Sequence, residues 1–187
     1  MPPQALLILV GPPASGKSTF SHHLCRLDPS WKRVNQDDLG SRVQCEAVCS
    51  RYLRLGANVV VDRCNFNAAQ RSTWIRLGRE YGTIILAISF YTPPQICEMR
   101  LYRREDHPTG VFGHQGVGIL HRFLEDLKYP EQPYEEGIHR HLRIQTPLPS
   151  QPSKPLWLPA DQAWRSEDIH SIMQALIPPS PPSPSPP

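Results

Sequence analysis

The sequence predicts an α/β fold, a three-layer α/β/α sandwich built on a central parallel sheet, and three observations carry that prediction. Short apolar runs alternate with longer amphipathic stretches along most of the chain. The first run, Ala5-Leu6-Leu7-Ile8-Leu9-Val10, leads directly into Gly11-Pro12-Pro13-Ala14-Ser15-Gly16-Lys17-Ser18, a complete G-x-x-x-x-G-K-[ST] phosphate loop. The 187 residues are enough for one α/β domain and too few for two ordinary ones.

Taken in order, strands are expected at 5–10, 32–35, 57–62, 83–90 and 139–144. Helices are expected at 17–27, 38–55, 68–81, 93–104, 115–128 and 161–177. Asn67 is placed to cap the third helix, because its side-chain oxygen accepts from the exposed N–H groups of a first turn. Pro93-Pro94 suits the start of the fourth, since proline is tolerated there. Residues 145–160 are proline-rich and read as a connection to a last amphipathic helix carrying Trp164, Ile169, Ile172, Leu176 and Ile177. Domain boundaries follow: one domain over 1–177 and a proline/serine tail over 178–187, which lacks the apolar residues needed to pack and is expected to be extended or disordered.

The phosphate loop carries the chemistry. Gly11, Pro12, Pro13, Ala14, Ser15, Gly16, Lys17, Ser18 and Thr19 are the candidate nucleotide-binding residues. Backbone N–H groups of such a loop and the N-terminus of the helix behind it face the phosphates. Lys17 is expected to reach the β- and γ-phosphates, and Ser18 to present its hydroxyl to Mg²⁺. ATP and Mg²⁺ are therefore the expected cofactors.

Polar bursts follow the second and third strands, at the end of the sheet where α/β proteins bind ligands. In Val34-Asn35-Gln36-Asp37-Asp38-Leu39-Gly40, Asp37 is the candidate general base for an attacking hydroxyl, and Asp38 reads as a helix cap. In Asp62-Arg63-Cys64-Asn65-Phe66-Asn67, Asp62 is either a carboxylate that holds Mg²⁺ or a structural aspartate. Arg63 and Asn65 either touch phosphate or acceptor, or hold the loop. Further on, Arg100 and Arg104 stand four residues apart and share a helix face, so two guanidinium groups converge on one target as a lid. Residues 107–110, with Gly113, Gly116 and Gly118, read as a glycine-hinged loop closing over the site.

Composition narrows the field. A net charge of +3 does not by itself announce a nucleic-acid binder. No apolar run reaches the roughly 20 residues of a membrane span, so no membrane partner is expected, and a soluble intracellular location, cytoplasmic or nuclear, is. Cys25, Cys45, Cys49, Cys64 and Cys97 form no zinc pattern and read as reduced structural thiols. No N-K-x-D guanine-reading motif is present, which argues against a nucleotide-driven switch.

The succession G-P-P-A-S-G-K-S-T-F, V-N-Q-D-D-L-G, V-V-V-D-R-C-N-F-N-A-A-Q-R and C-x-x-R-x-x-x-R-x-D-H-P-T resembles the kinase module of 5′-hydroxyl polynucleotide kinases of nucleic-acid end repair, over roughly residues 5–144. The first motif is generic to P-loop enzymes; the D-x-L-G and D-x-x-N-x-N segments are more particular. The resemblance implies a P-loop NTPase fold with sheet order 2-3-1-4-5 and a helical lid. It implies transfer of the γ-phosphate of ATP to a 5′-hydroxyl end of RNA or DNA. Lys17 and Ser18 then bind triphosphate and Mg²⁺, Asp37 is the base, Asp62 supports the metal and acceptor side, and Arg100 and Arg104 contact the nucleotide phosphates. In some relatives an arginine three residues after the base holds the acceptor phosphate; that place is Gly40 here, and Arg42 is the nearest arginine. The chain has no room for the phosphatase or ligase domains often fused to such modules, so separate repair proteins are the expected partners. Two other readings compete: a kinase of a small alcohol or an aminoacyl-tRNA, and a non-catalytic nucleotide-binding adaptor.

Overall fold

A computed structural model describes residues 3–103, 112–145 and 164–177. Its centre is a five-stranded, all-parallel sheet in the order β2-β3-β1-β4-β5, as the resemblance implied. The strands are β1 (Ala5–Val10), β2 (Trp31–Asn35), β3 (Asn58–Asp62), β4 (Ile84–Tyr91) and β5 (Arg140–Gln145). The helices are α1 (Lys17–Leu27), α2 (Gln36–Leu39), α3 (Arg42–Arg54), α4 (Ala68–Glu80), α5 (Pro94–Tyr102), α6 (Gly113–Asp126), α7 (Pro133–Glu136) and α8 (Ser166–Leu176).

β1 is apolar at every position because both of its faces are covered, as a central parallel strand requires. Successive side chains point to opposite faces. Leu7 and Leu9 therefore join Phe20 and Leu24 of α1 and Ile169, Ile172 and Leu176 of α8 on one side. Leu6, Ile8 and Val10 join Cys45, Cys49 and Leu53 of α3 and Trp74 and Ile75 of α4 on the other. A smaller cluster, Cys97 and Leu101 of α5 with Leu120 of α6, packs on Ala14 of the phosphate loop and seats this helix pair beside it.

Asn67 caps α4 as expected, its Oδ1 accepting from the Gln70 N–H at 3.0 Å. Pro94 stands in the first turn of α5. Other expectations need correction. The single helix expected over 38–55 is two: α2 is one turn ending at Gly40, and α3 restarts after Ser41, whose hydroxyl accepts from the Gln44 N–H. Gly40 has φ +80°, a left-handed conformation that favours glycine, and this breaks the helix. The last helix begins at Ser166, so Trp164 precedes it; the indole is nonetheless buried, edge-on to Phe20 with ring centres 5.3 Å apart. Gly113, Gly116 and Gly118 lie in α6 and not in a hinge loop. The turn of helix at α7 was not foreseen. The expected lid residues 104–111, the connection over 146–160 and the tail over 178–187 lie outside the described residues.

Candidate active site

The chain leaves β1 toward α1 on one face of the sheet and leaves β3 toward α4 on the other. A crevice opens between neighbouring parallel strands whose connections diverge in this way, beyond their carboxyl ends. The two loops at this point are tied together: the Gly11 N–H donates to the Cys64 carbonyl at 3.1 Å, and Asn65 Nδ2 donates to the Leu9 carbonyl at 2.8 Å.

A cleft of about 250 Å³ occupies the crevice. Pro13, Ala14, Lys17 and Ser18 line its phosphate-loop side, and Asn35, Gln36 and Asp37 its β2 side. Asp62, Arg63, Cys64 and Gln70 come from β3 and α4, and Ile119 and Phe123 from α6. Seven residues expected from the sequence, Pro13, Ala14, Lys17, Ser18, Asp37, Asp62 and Arg63, thus share one space.

The phosphate loop is shaped by Gly16, at φ +103°, which turns the chain into α1, and by Thr92 at the end of β4, whose hydroxyl donates to the Ser15 carbonyl at 3.0 Å. The Lys17 ammonium is buried and bonded back to the loop: it donates to the carbonyls of Gly11 at 2.9 Å and Pro12 at 2.6 Å and to Ser15 Oγ at 3.2 Å. Thr19 does not line the cleft; its carbonyl pairs with the His23 ring.

Asp62 is the buried hub. Its Oδ2 accepts from Ser21 Oγ at 3.0 Å, from Asn35 Nδ2 at 3.2 Å and from Arg33 Nε at 2.7 Å. Arg33 Nη2 stands 2.7 Å from the same oxygen. Its Oδ1 accepts from Ser18 Oγ at 3.2 Å. One carboxylate oxygen is thus consumed by structure, while the other meets the loop hydroxyl at the cleft. Two hard oxygen donors side by side fit a Mg²⁺ that keeps waters and is shared with substrate phosphates. Among the described residues there is no cluster of three or more His, Cys, Asp or Glu side chains able to hold a metal without such phosphates.

Arg33 also pairs with Asp38, so it bridges two carboxylates. Asp38 is therefore not the helix cap expected of it. That role belongs to Asn35, whose Oδ1 accepts from the N–H groups of Asp37 and Asp38 while its Nδ2 reaches the Asp62 carbonyl. Asp37 is left exposed at the cleft. In parallel register Asn35 pairs with Asp62, which brings the ends of β2 and β3 level. Arg33, Asn35 and Ser21 were missed by sequence reasoning. The available signal was Arg33 and Asn35 two apart on one strand, hence on one face.

The remaining candidates separate. Asn65, fully buried at φ +45°, accepts from Trp74 Nε1 at 2.9 Å and holds the loop without lining the cleft. Arg42 sits on the surface in an ion pair with Glu46 at 3.0 Å and does not line the cleft. Arg100 Nη1 donates to the Ala14 carbonyl at 3.0 Å, so α5 delivers this guanidinium to the phosphate loop. Arg104 lies outside the described residues. Burial pushes the Cys64 thiol above its ordinary value, so it is not a poised nucleophile. All five cysteines are free thiols.

Residues 6–116 match the model of a protein family described as AAA domain. Over 146 residues the chain is 32% identical to Transcription factor bHLH140 of Arabidopsis thaliana, covering 73% of this chain and 15% of that protein. Over 93 residues it is 30% identical to the Bifunctional polynucleotide phosphatase/kinase of Schizosaccharomyces pombe, covering 50% of this chain and 22% of that protein. The chain therefore spans less than a quarter of the length of either relative. Among solved structures, a fungal RNA kinase superposes with a TM-score of 0.70 over 92% of this chain and 85% of that one, at 14% identity, which shows a shared fold.

Proposed function

This chain belongs to the AAA domain family, and from that premise we propose that it is an ATP-dependent 5′-hydroxyl polynucleotide kinase, moving the γ-phosphoryl group of ATP to the 5′-hydroxyl of an RNA or DNA end. The observation that carries the proposal is the shared cleft: Asp37, a carboxylate in no ion pair among the described residues, faces the same space as Lys17, Ser18 and Asp62. A nucleotide-binding switch has no use for an exposed carboxylate there; a kinase needs one to receive the acceptor's proton. The name of the fission-yeast relative supports the polymer acceptor.

The chemistry assigned to the residues follows from their places. Backbone N–H groups of the Gly11–Ser18 loop and the α1 N-terminus receive the β- and γ-phosphates. Lys17 exchanges the carbonyls of Gly11 and Pro12 for phosphate oxygens, and Arg100, already on the loop, adds a second cation. Ser18 and Asp62 Oδ1 would hold Mg²⁺, and that ion would offset the negative charge that builds on the phosphates. Asp37 accepts the proton of the 5′-hydroxyl as its oxygen bonds to the γ-phosphorus and the bond to ADP breaks. Ile119 and Phe123 wall the acceptor side with apolar surface and keep water from taking the hydroxyl's place.

The test is transfer of labelled γ-phosphate from ATP to a 5′-hydroxyl oligonucleotide, set against a panel of nucleosides, sugars and aminoacyl-tRNA. Labelled oligonucleotide is the expected product. Labelling of a sugar or an aminoacyl-tRNA in its place moves the assignment to the competing kinase class, and ATP binding with no acceptor labelled moves it to an adaptor.

A further inference from the structure

Arg71 closes the sequence segment that runs from Asp62 through Asn65 and Asn67, yet it has no place in the cleft. Its side chain is 1% exposed, and every one of its nitrogens is engaged. Nε and Nη2 donate to the two carboxylate oxygens of Glu136 on α7, each at 2.7 Å. Nη1 donates to the carbonyl of Asn65, in the loop after β3, at 3.0 Å and to that of Lys128, just beyond α6, at 2.8 Å. A buried ion pair gains little stability over well-packed apolar side chains, whereas the planar guanidinium fork imposes fixed directions on whatever it binds. Geometry is therefore what an arginine adds here.

The segment held at Lys128 is the one that ends α6. The Lys128 N–H donates to the Phe66 carbonyl at 2.7 Å, and Tyr129 stacks on Tyr91 with ring centres 4.0 Å apart while its hydroxyl donates to the Phe90 carbonyl at 2.9 Å. Five residues before Lys128, Phe123 stands edge-on to Phe66 with ring centres 5.1 Å apart and lines the cleft together with Ile119. The Asn65 end of the grip matters equally. Asn65 takes φ +45°, a conformation that is costly for a residue other than glycine and persists because its neighbours hold it. It directly follows Arg63 and Cys64, which line the cleft. Glu136 supplies the fixed base for this grip: α7 is closed by Gly137 at φ +98°, and Ile138 beyond it is buried, with its N–H donating to the Pro133 carbonyl at 2.9 Å.

We propose that Arg71 is a positioning residue that pins the end of α6 to the loop after β3 and so sets the width of the acceptor side, between Phe123 and the Arg63-Cys64 loop. The inference rests on the kinase reading of the cleft and deepens it by naming what fixes the acceptor's place. Arg71 itself touches neither substrate; its effect passes through Phe66 and Phe123. None of its bonds goes to the Gly11–Ser18 loop, so loss of the pin weakens acceptor binding and spares ATP.

Hydrogen exchange of the full chain, read by mass spectrometry, tests the pin without any turnover. Arg71→Lys keeps the charge opposite Glu136 but loses the fork that reaches both carbonyls. The expected result is exchange roughly tenfold faster or more over residues 120–128, with β1, β3 and α1 at the rates of the unaltered chain. In transfer assays the same variant should raise KM for a 5′-hydroxyl oligonucleotide roughly tenfold and leave KM for ATP within about twofold. Phe123→Ala should raise the oligonucleotide KM as well, and adding Arg71→Lys to it should raise it no further, because the pin acts through that ring. If Arg71→Lys does not fold, Glu136→Gln, which weakens the other half of the grip, is read in the same way and decides. Unchanged exchange over 120–128, equal acceleration there and in the sheet, an unmoved oligonucleotide KM or additive effects of the two substitutions would each overturn the proposal. Selective loosening of 120–128 in a chain that labels no oligonucleotide would uphold the pin on α6 and refute the kinase; an active kinase whose α6 ignores the substitution would refute the pin alone.

Discussion

The two sides of the cleft are built in different ways. The phosphate side is one continuous segment, Val10 to Ser18, in which glycine geometry, loop carbonyls and the start of α1 are all local to the motif. The acceptor side has no continuous segment. It gathers Asp37 from after β2, Arg63 from after β3, Gln70 from α4 and Phe123 from α6. Residues almost ninety positions apart must pack correctly before that wall exists. The comparison teaches that the proposed nucleotide contacts belong to one loop, whereas the proposed acceptor wall depends on β2, β3, α4 and α6 packing together.

Substitution of one residue on each side breaks the comparison most sharply. Lys17→Ala should abolish both ATP binding and transfer. Asp37→Ala should lower kcat by roughly 10²- to 10⁴-fold while the Kd for ATP stays within about twofold. Single-turnover kinetics with a parallel nucleotide titration measures both. An Asp37→Ala enzyme with full activity would remove the assigned base.

Arg33 joins the sides, since its guanidinium holds the Asp62 carboxylate that also receives the Ser18 hydroxyl. Arg33→Met leaves a nearly inaccessible Asp62 facing only neutral donors and should cost about 3 kcal/mol of folding stability. Urea unfolding reads this directly. A loss below about 0.5 kcal/mol would mean that the pair is not a structural link.

Asn67 offers a milder probe, confined to the acceptor side. Asn67→Ala removes the side-chain acceptor for the Gln70 N–H, leaving only the Asn67 carbonyl, and should cost about 1 kcal/mol, chiefly by loosening the first turn of α4. Because Gln70 lines the cleft, KM for the acceptor should rise while KM for ATP does not. An equal rise in both would contradict the independence of the two sides.

A last effect, felt only in acid, is expected from pH. His141 on β5 donates to or accepts from Ser89 Oγ at 2.8 Å, and burial draws its pKa from 6.5 down to about 4. The unfolded chain therefore binds a proton between these values that the folded chain does not, so stability falls as pH is lowered from 6.5 toward 4. His141→Asn should flatten that slope in thermal melts across the same window. Since neither side of the cleft contains His141, the decline should reach both sides together, through the sheet.

Legibility followed the same division. The strands, most helices and the Asn67 cap could be read because apolar period, proline and capping residues act over a few neighbours. The helix read across 38–55 failed at Gly40 and Ser41, where a backbone turn and a fresh cap outweighed an amphipathic pattern that continued through them. Asp37 and Asp38 look alike in the sequence; only Arg33, which meets Asp38 where α2 turns back from the end of β2, tells them apart. Asn65 and Arg63 were equal candidates two residues apart, until Trp74 took the amide of one as a structural bond and left the other facing the cleft.

By itself, then, the order of residues determined the parallel α/β class, the phosphate loop and the pair of strand ends from which acceptor chemistry would come. These depend on hydrogen bonds and steric preferences between near neighbours, which a linear pattern records. Tertiary structure alone decided that Asp62 spends one oxygen on Arg33, that Asp38 and not Asp37 pairs with that arginine, and that α6 brings Phe123 to the cleft. Those outcomes come from which distant side chains win each other's polar groups once water is excluded. No spacing along the chain encodes that competition.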